Sequence, residues 1–194
     1  MTYLQPTGAG PLQGQDLNRF LQQWMAGVLG APNLDQTLIR PYDQSEPPVI
    51  PADGVAWMAF SQRVDESDTY PYVAALPDGT GTQLQRQEEI VVLCSFYDLG
   101  TNGQAASLAS LLRDGILIPD NLESLTLASF GLVGCEPEVV VPSLLKLRWL
   151  YRVDLPFRLR RAVTRVYGVP NITSAVGTVY TDTGLPPVPV LAHN

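Results

Sequence analysis

The chain has 194 residues, a hydrophobic fraction of 45% and a formal net charge of −7. This length is enough for one domain with a substantial core, so the fold needs no disulfide or metal to stabilise it. The acidic pI of about 4.6 argues against nucleic-acid binding over the whole surface. We expect neither a membrane span nor a cleaved signal, because the sequence has no long apolar run and no basic, apolar start.

The first predicted regular element is a helix over residues 15–29, after a polar, Gly- and Pro-containing arm at 1–11. Its apolar residues recur at helical spacing and predict one buried stripe, consisting of Leu17, Phe20, Leu21, Trp24, Met25 and Val28. Gly30 is expected to end the helix in a left-handed conformation. Residues 40–54 hold four prolines, which excludes a regular element and predicts an ordered loop at a subunit boundary.

Three strands are predicted next. Residues 55–65 alternate weakly, 70–76 form a short strand, and Asp78-Gly79 is a hairpin signal that leads into 82–97. The first half of 82–97 is polar and is expected to project from the body, whereas IVVLCSFY is typical of a buried strand. Its Cys94 and the later Cys135 favour free thiols in a reducing cytoplasm over a disulfide.

Two helices follow in the prediction. The first covers 101–114 with Thr101 or Asn102 as its N-cap, and Asp120 with Glu123 resembles a capping box of a second, shorter helix. The positions expected to face inward are Ala105, Leu108, Ala109 and Leu112 in the first helix, and Leu122, Leu125 and Ala128 in the second.

The remaining chain predicts strand pieces at 130–133 and 139–141, a long basic strand, and a last strand at 174–181. Residues 184–194 are too rich in proline for a core and are expected to form an arm. The element order separates helices from an antiparallel or mixed sheet, which is typical of the α+β class. We therefore expect an arm at 1–11, one α+β domain at 12–183 and an arm at 184–194.

The long basic strand is the most distinctive stretch. Residues 146–165 contain seven basic side chains and the single acid Asp154, although the whole chain is acidic. Apolar and polar residues alternate over 153–159, which predicts a strand with one dry face. The pair Arg160-Arg161 interrupts that pattern and predicts a bulge or a change of face. Pro156 lacks an N–H and predicts an edge or a bulged position.

A basic strand on an acidic body suits head-to-tail assembly, in which one copy's strand contacts the acidic surface of the next. The predicted subunit-interface residues are Arg148, Arg152, Arg158, Arg160, Arg161 and Arg165. The alternative is that these arginines pair with acids of their own subunit or stay in water. A further alternative is a nucleic-acid-binding module that uses the strand 146–165.

The sequence contains no pattern for catalysis or for a cofactor. His193, its one histidine, lies second from the end, and one histidine with two distant cysteines cannot form a catalytic triad or a zinc set. The acidic cluster Asp65, Glu66 and Asp68 lacks the full pattern of a calcium loop, which favours a solvated turn. We expect no enzymatic activity, no cofactor and no metal site.

Four runs together resemble a known family. They are RPYDQSEPP, LASLLRDGILIPDNLESLTLASFGLVG, RWLYRVDLPFRLRRAVTRVYGVPNI and SAVGTVYTD. In this order and spacing they are similar to the neck or tail-terminator (tail-completion) proteins of tailed bacteriophages, especially those with contractile tails. The resemblance covers about residues 12–183, and no single run is diagnostic by itself.

The resemblance implies a virion structural protein, assembled in the host cytoplasm, that forms a homo-oligomeric ring, most often hexameric, at the head-proximal end of the tail. Its expected partners are the tail tube, the sheath and the connector or collar proteins, with DNA passing through the bore. A collar ring one layer up is the alternative position. Because an acidic bore repels phosphate and lets DNA slide, we expect Asp65, Glu66, Asp68 or Glu88 to supply any lumen surface, without sequence readout.

Overall fold

A computed structural model describes residues 4–8, 10–30, 38–42, 55–68, 70–98, 103–145, 148–169, 174–179 and 188–193. Within these ranges the helices are α1 (Gly14–Leu29), α2 (Gln104–Gly115) and α3 (Pro119–Leu127). The strands are β1 (Pro6–Thr7), β2 (Ile39–Pro41), β3 (Trp57–Ser67), β4 (Tyr72–Ala75), β5 (Thr82–Asp98), β6 (Phe130–Cys135), β7 (Val139–Leu145), β8 (Arg148–Tyr167), β9 (Ser174–Val179) and β10 (Val188–His193). An eight-stranded mixed sheet with three helices confirms the predicted α+β class.

The chain divides into two compact units. The larger unit contains Leu12–Thr69 and Gln87–Ala162, and the smaller unit contains Met1–Pro11, Tyr70–Arg86 and Val163–Asn194. Both units therefore combine segments that are far apart in the sequence. The long strands β5 and β8 contribute residues to each of them.

In the larger unit, β3 pairs antiparallel with β5, and β8 is the next strand on the other side of β5. The short strands β6 and β7 both pair antiparallel with β8, one after the other along its length. At the opposite edge, β2 pairs with the start of β3 and is parallel to it. The prediction that residues 40–54 contain no regular element is therefore wrong for Arg40 and Pro41, and residues 43–54 lie outside the described part of the chain.

The core lies between the helices and one face of this sheet. The inward face of β8 is a row of alternate residues, Val153, Leu155, Phe157 and Leu159, each at most 1% exposed. Helix α1 packs its predicted stripe on the core, with Leu17, Leu21, Trp24 and Met25 fully or almost fully buried. Full burial of one large apolar side chain contributes roughly 1.5–3 kcal/mol, so this layer is the main source of stability.

Helix α2 buries the four predicted residues, whereas the caps of α2 and α3 differ from the prediction. The N-cap of α2 is Gly103 in a left-handed conformation, and the Asp98 carboxylate accepts a hydrogen bond from the Gln104 N–H at 3.1 Å. Thr101 and Asn102 lie outside the described residues. Helix α3 begins at Pro119, which needs no N–H partner, and its N-cap residue makes no side-chain cap. Asp120 therefore lies in the first turn and does not form a capping box.

Two expectations about β8 are corrected by its pairing. The strand runs without interruption from Arg148 to Tyr167, so no change of face occurs at Arg160-Arg161. The bulge lies instead on the partner strand β6, where the register shifts between Leu132 and Gly134. Pro156 lies between the residues of β8 that pair with β6 and those that pair with β7, and its carbonyl accepts the Glu136 N–H at 2.9 Å. Its missing N–H therefore interrupts no strand ladder.

The smaller unit contains three strand pairings. Strand β4 pairs antiparallel with the start of β5 through the predicted turn, in which the Asp78 carboxylate accepts hydrogen bonds from the Thr80 N–H and hydroxyl. Strand β1 pairs with the end of β8. Strands β9 and β10 form a separate antiparallel pair, so the strand expected at 174–181 is followed by another at 188–193 that contains His193.

Candidate functional site

The candidate site is the set of arginines on β8, which the sequence singles out by their density. Because side chains alternate along a strand, the even-numbered arginines Arg152, Arg158 and Arg160 lie on the face opposite the core. Arg161 has the same parity as the apolar row and points inward. The structure therefore divides the predicted interface arginines between two faces of one strand.

The inward-facing Arg161 forms a buried ion pair with Glu88 of β5. Its Nη2 and Nε lie 2.9 and 3.0 Å from Glu88 Oε2, and the two side chains are 5% and 3% exposed. Arg161 Nη1 also donates to the Leu12 carbonyl, and its guanidinium carbon lies 5.5 Å from the centre of the Phe130 ring. These contacts link Leu12, two residues before the start of α1, to β5 and β8. Removal of either charge would leave the other in a low-dielectric interior.

Arg158 contacts three carboxylates on the opposite face. Its Nη1 lies 3.1 Å from Asp65 Oδ2 and 3.1 Å from Glu89 Oε1, and its Nε lies 3.2 Å from Glu136 Oε1. The hydrogen bonds that Arg158 donates to the Glu89 and Glu136 carboxylates stabilise the charged guanidinium and raise the pKa of Arg158. Residues from β3, β5 and the β6–β7 connection are thus held to one β8 side chain.

Two further arginines extend this network. Arg160 lies 3.2 Å from the second oxygen of Glu89, and Arg63 lies 3.2 Å from Asp65. With Arg158 and Glu136, the network contains three arginines and three carboxylates. This part of the sheet is therefore close to electrically neutral, although the sequence of β8 by itself is strongly basic.

Arg152 belongs to a separate cluster at the other end of the same face. Its Nε and Nη2 each lie 2.7 Å from one oxygen of Asp154, and its guanidinium carbon is 5.8 Å from the centre of the Tyr97 ring. Tyr97 stacks on Trp57 at 4.2 Å and shares a short hydrogen bond with the Tyr42 hydroxyl. Burial, and then the bond to Tyr42, raises the pKa of Tyr97 above its usual value, so the phenol stays neutral.

The remaining predicted interface arginines are Arg148 and Arg165. The side chain of Arg148 lies outside the described part of the structure, although its backbone pairs with Leu145. Arg165 is half-buried in the smaller unit and has no ion pair with any described residue. Arg165 is therefore the described member of the set that is available to another subunit.

The predicted lumen acids are mostly engaged within the chain. Asp65 pairs with two arginines, Glu88 is buried against Arg161, and Asp68 Oδ2 accepts the Gln87 N–H at 2.7 Å. The side chain of Glu66 is not among the described ones, but its backbone is opposite Glu89. Glu88 in particular is removed from solvent, because it is paired with the buried, inward-facing Arg161 of β8. The carboxylates of Asp65 and Glu88 are thus paired with arginines of their own chain, whereas Asp68 is exposed.

The described residues contain no group of three His, Cys, Asp or Glu side chains that could hold a metal ion. Cys94 is buried and Cys135 is half-buried, and both are free thiols. Burial raises the pKa of the Cys135 thiol. None of the described helices is long and apolar enough to cross a membrane.

The partners of the arginines were not predicted from the sequence. A signal was present, because Glu88-Glu89 interrupts β5 where that strand changes from polar to apolar residues. The two acids point to opposite faces and meet an inward and an outward arginine of β8. The relative register of β5 and β8 was the missing information.

Comparison with known families gives one match. A family described as phage neck terminator protein matches residues 15–184 of this chain, a range that includes parts of both units and the whole of β8. A search among curated proteins finds no significant match. The match agrees with the family resemblance drawn from the four sequence runs.

Proposed function

We propose, from the premise that this chain belongs to the phage neck terminator family, that it forms a ring at the head-proximal end of the tail. Membership of the family makes it a structural protein of the phage neck and tail, with other head and tail proteins as its partners. The ring would end the tail tube and join it to the connector, and DNA would pass through its bore. The observation that carries this proposal is a family match over almost the whole chain.

The ion pairs of the sheet refine the proposed interface. We infer that Arg152, Arg158, Arg160 and Arg161 stabilise the subunit itself, because each has a carboxylate partner in its own chain. Among the predicted interface residues, Arg165 then remains as the described candidate for a contact with the next subunit. Arg165 has no ion pair with any described residue, so it can pair with a carboxylate of the next subunit without breaking an ion pair of its own chain.

Assembly is the first test of this function. The purified chain, or the chain co-expressed with its tail-tube protein, should give a closed homo-oligomer, six subunits being the expected number, in native mass spectrometry. Co-expression matters because a terminator can require the tube end as a template. A monomer under both conditions, together with virions that lack the protein or hold a single copy, would rule out the ring.

DNA binding is the second test. We expect weak, salt-sensitive attraction at most, because Arg158, Arg160 and Arg161 are paired with carboxylates and the chain is acidic overall. Filter binding with duplex and single-stranded DNA at low salt measures this directly. Sub-micromolar binding that falls steeply with added salt would favour the alternative, a nucleic-acid-binding module that uses residues 146–165.

The ring could lie at the end of the tail tube or one layer up, in the collar, and we propose the end of the tube. A terminator ring should copurify with tail tubes, and with sheath if the tail is contractile. A collar ring one layer up should copurify with the connector of DNA-filled heads. Immunogold labelling of separated heads and tails distinguishes these two positions.

A further inference from the structure

The larger unit contains a groove of about 400 Å³ between α1 and α3. Its α1 wall includes Phe20 and Trp24, and its α3 wall includes Asp120 and Ser124. Both aromatic rings are held in place, because Phe20 stacks on Phe130 and the Trp24 indole N–H donates to the Asn121 carbonyl at 2.9 Å. The groove is therefore a preformed feature with an aromatic wall and an acidic lip.

Gly27, in the last turn of α1, keeps this groove open. Glycine inside a helix lowers the stability of the helix relative to alanine, so a glycine at this position needs a structural explanation. At Gly115 the reason is packing, because an added Cβ would lie 2.5 Å from Val28 Cγ1. An added Cβ at Gly27 would meet no atom within 4 Å, so packing does not require glycine there. A side chain at residue 27 would instead occupy the groove.

The surface beside the groove is both acidic and apolar. The carboxylates of Asp114, Asp120 and Glu123 are exposed and make no ion pair with any described residue. Leu127 is 81% exposed and follows Asp120 and Ser124 on one face of α3. Ile118, in the turn before α3, is half exposed. Exposed apolar side chains next to unpaired acids are typical of a protein contact with a basic partner.

We propose that this groove, with Asp120, Glu123 and Leu127 at its rim, docks a segment of a different protein that presents a lysine or arginine beside an apolar side chain. The aliphatic stem of such a cation can lie along the half-buried Phe20 ring while its charge pairs with Asp120. The neighbouring apolar side chain contacts Leu127. This docking site adds a partner surface to the subunit and does not depend on the number of subunits in the ring.

Charge complementarity favours a different protein over a second copy. Among the arginine side chains that the structure describes, all except Arg165 already interact with groups of their own chain. Among the described side chains, a second copy therefore offers an acidic groove only Arg165 as a cation without an interaction in its own chain. A lysine- or arginine-bearing protein supplies them without breaking ion pairs.

The test uses the full chain and two fluorescein-labelled amphipathic peptides with the same leucine spacing, one carrying lysine and the other glutamate at its polar positions. In fluorescence anisotropy we expect saturable binding of the lysine peptide and none of the glutamate peptide. Gly27→Leu should abolish this binding with an unchanged circular dichroism spectrum. Asp120→Lys should weaken it about tenfold, because it places a like charge at the groove.

The matched control is Asp78→Lys in the β4–β5 turn, which changes the net charge equally and should leave binding unchanged. Equal losses in both lysine variants, retained binding in Gly27→Leu, or no binding by the wild-type chain would each overturn the proposal. Native mass spectrometry of Gly27→Leu should show the same assembly as the wild type. If the wild type assembles and Gly27→Leu does not, the groove is occupied by a second copy of this chain, and the assignment to a different protein is wrong. A wild-type chain that never assembles would contradict the proposed ring and would leave the proposed docking site untouched.

Discussion

Replacing Arg161 with methionine should lower the free energy of unfolding by about 3–5 kcal/mol, because the buried Glu88 side chain would lose the guanidinium that neutralises it. Glu88 is 3% exposed, and the Nε and Nη2 atoms of Arg161 lie 3.0 and 2.9 Å from its Oε2 atom. The loss also includes the Leu12 carbonyl, which would no longer accept the Arg161 hydrogen bond. Urea denaturation followed by both circular dichroism and tryptophan fluorescence measures the change and shows whether unfolding remains two-state.

The control for this prediction is Arg160→Met, the adjacent residue on the opposite face. Arg160 is mostly exposed, with 59% of its side chain accessible, so its pair with Glu89 should contribute about 1 kcal/mol or less. The double variant Arg161→Met with Glu88→Leu should regain much of the lost stability, since an apolar pair of similar size can replace a buried ion pair. Equal effects of Arg160→Met and Arg161→Met would contradict a specific role for the buried pair.

Reversing the charge of Arg158 is expected to destabilise the subunit, whereas reversing that of Arg165 is not. Glu at position 158 would face Asp65, Glu89 and Glu136, which now share the guanidinium, so like charges would replace three attractive contacts. We expect the melting temperature of Arg158→Glu to fall by several degrees. Arg165→Glu should change stability by about 0.5 kcal/mol or less, because no described residue pairs with it.

The same two variants separate folding from assembly. Arg165→Glu should fold as the wild type does and yet weaken the ring, because it places an acid at the proposed subunit contact. Arg158→Glu should assemble poorly only to the extent that it unfolds, so lowering the temperature should restore its assembly. If Arg158→Glu instead melts at the wild-type temperature and forms no ring, Arg158 is a subunit-interface residue, as the sequence predicted. Thermal melts and native mass spectrometry on the same samples provide both measurements.

Local periodicity in the sequence determined much of this fold. The apolar spacing of α1, the four inward residues of α2 and the alternation over 153–159 all predicted the faces that the structure buries. These features depend on the 3.6- and two-residue repeats of one helix or strand, which neighbouring residues specify by themselves. The α+β class and the phage neck terminator family were also correct from the sequence, because both depend on the order of elements along the chain.

The pairing of charges, in contrast, was decided by the tertiary structure. Arg161 and Glu88 are 73 residues apart, and they meet because β8 lies beside β5 in one particular register. A shift of one residue would turn Arg161 and the whole apolar row outward and the polar residues between them inward, so burial of that row selects the register. The place of Pro156 between two partner strands has the same origin. The sequence by itself determined which residues carry charge and which faces are apolar. Only the tertiary structure decided that Arg158, Arg160 and Arg161 of β8 pair with acids of other strands and connections in their own subunit, because a charge pairs with whatever the fold brings within a few ångströms.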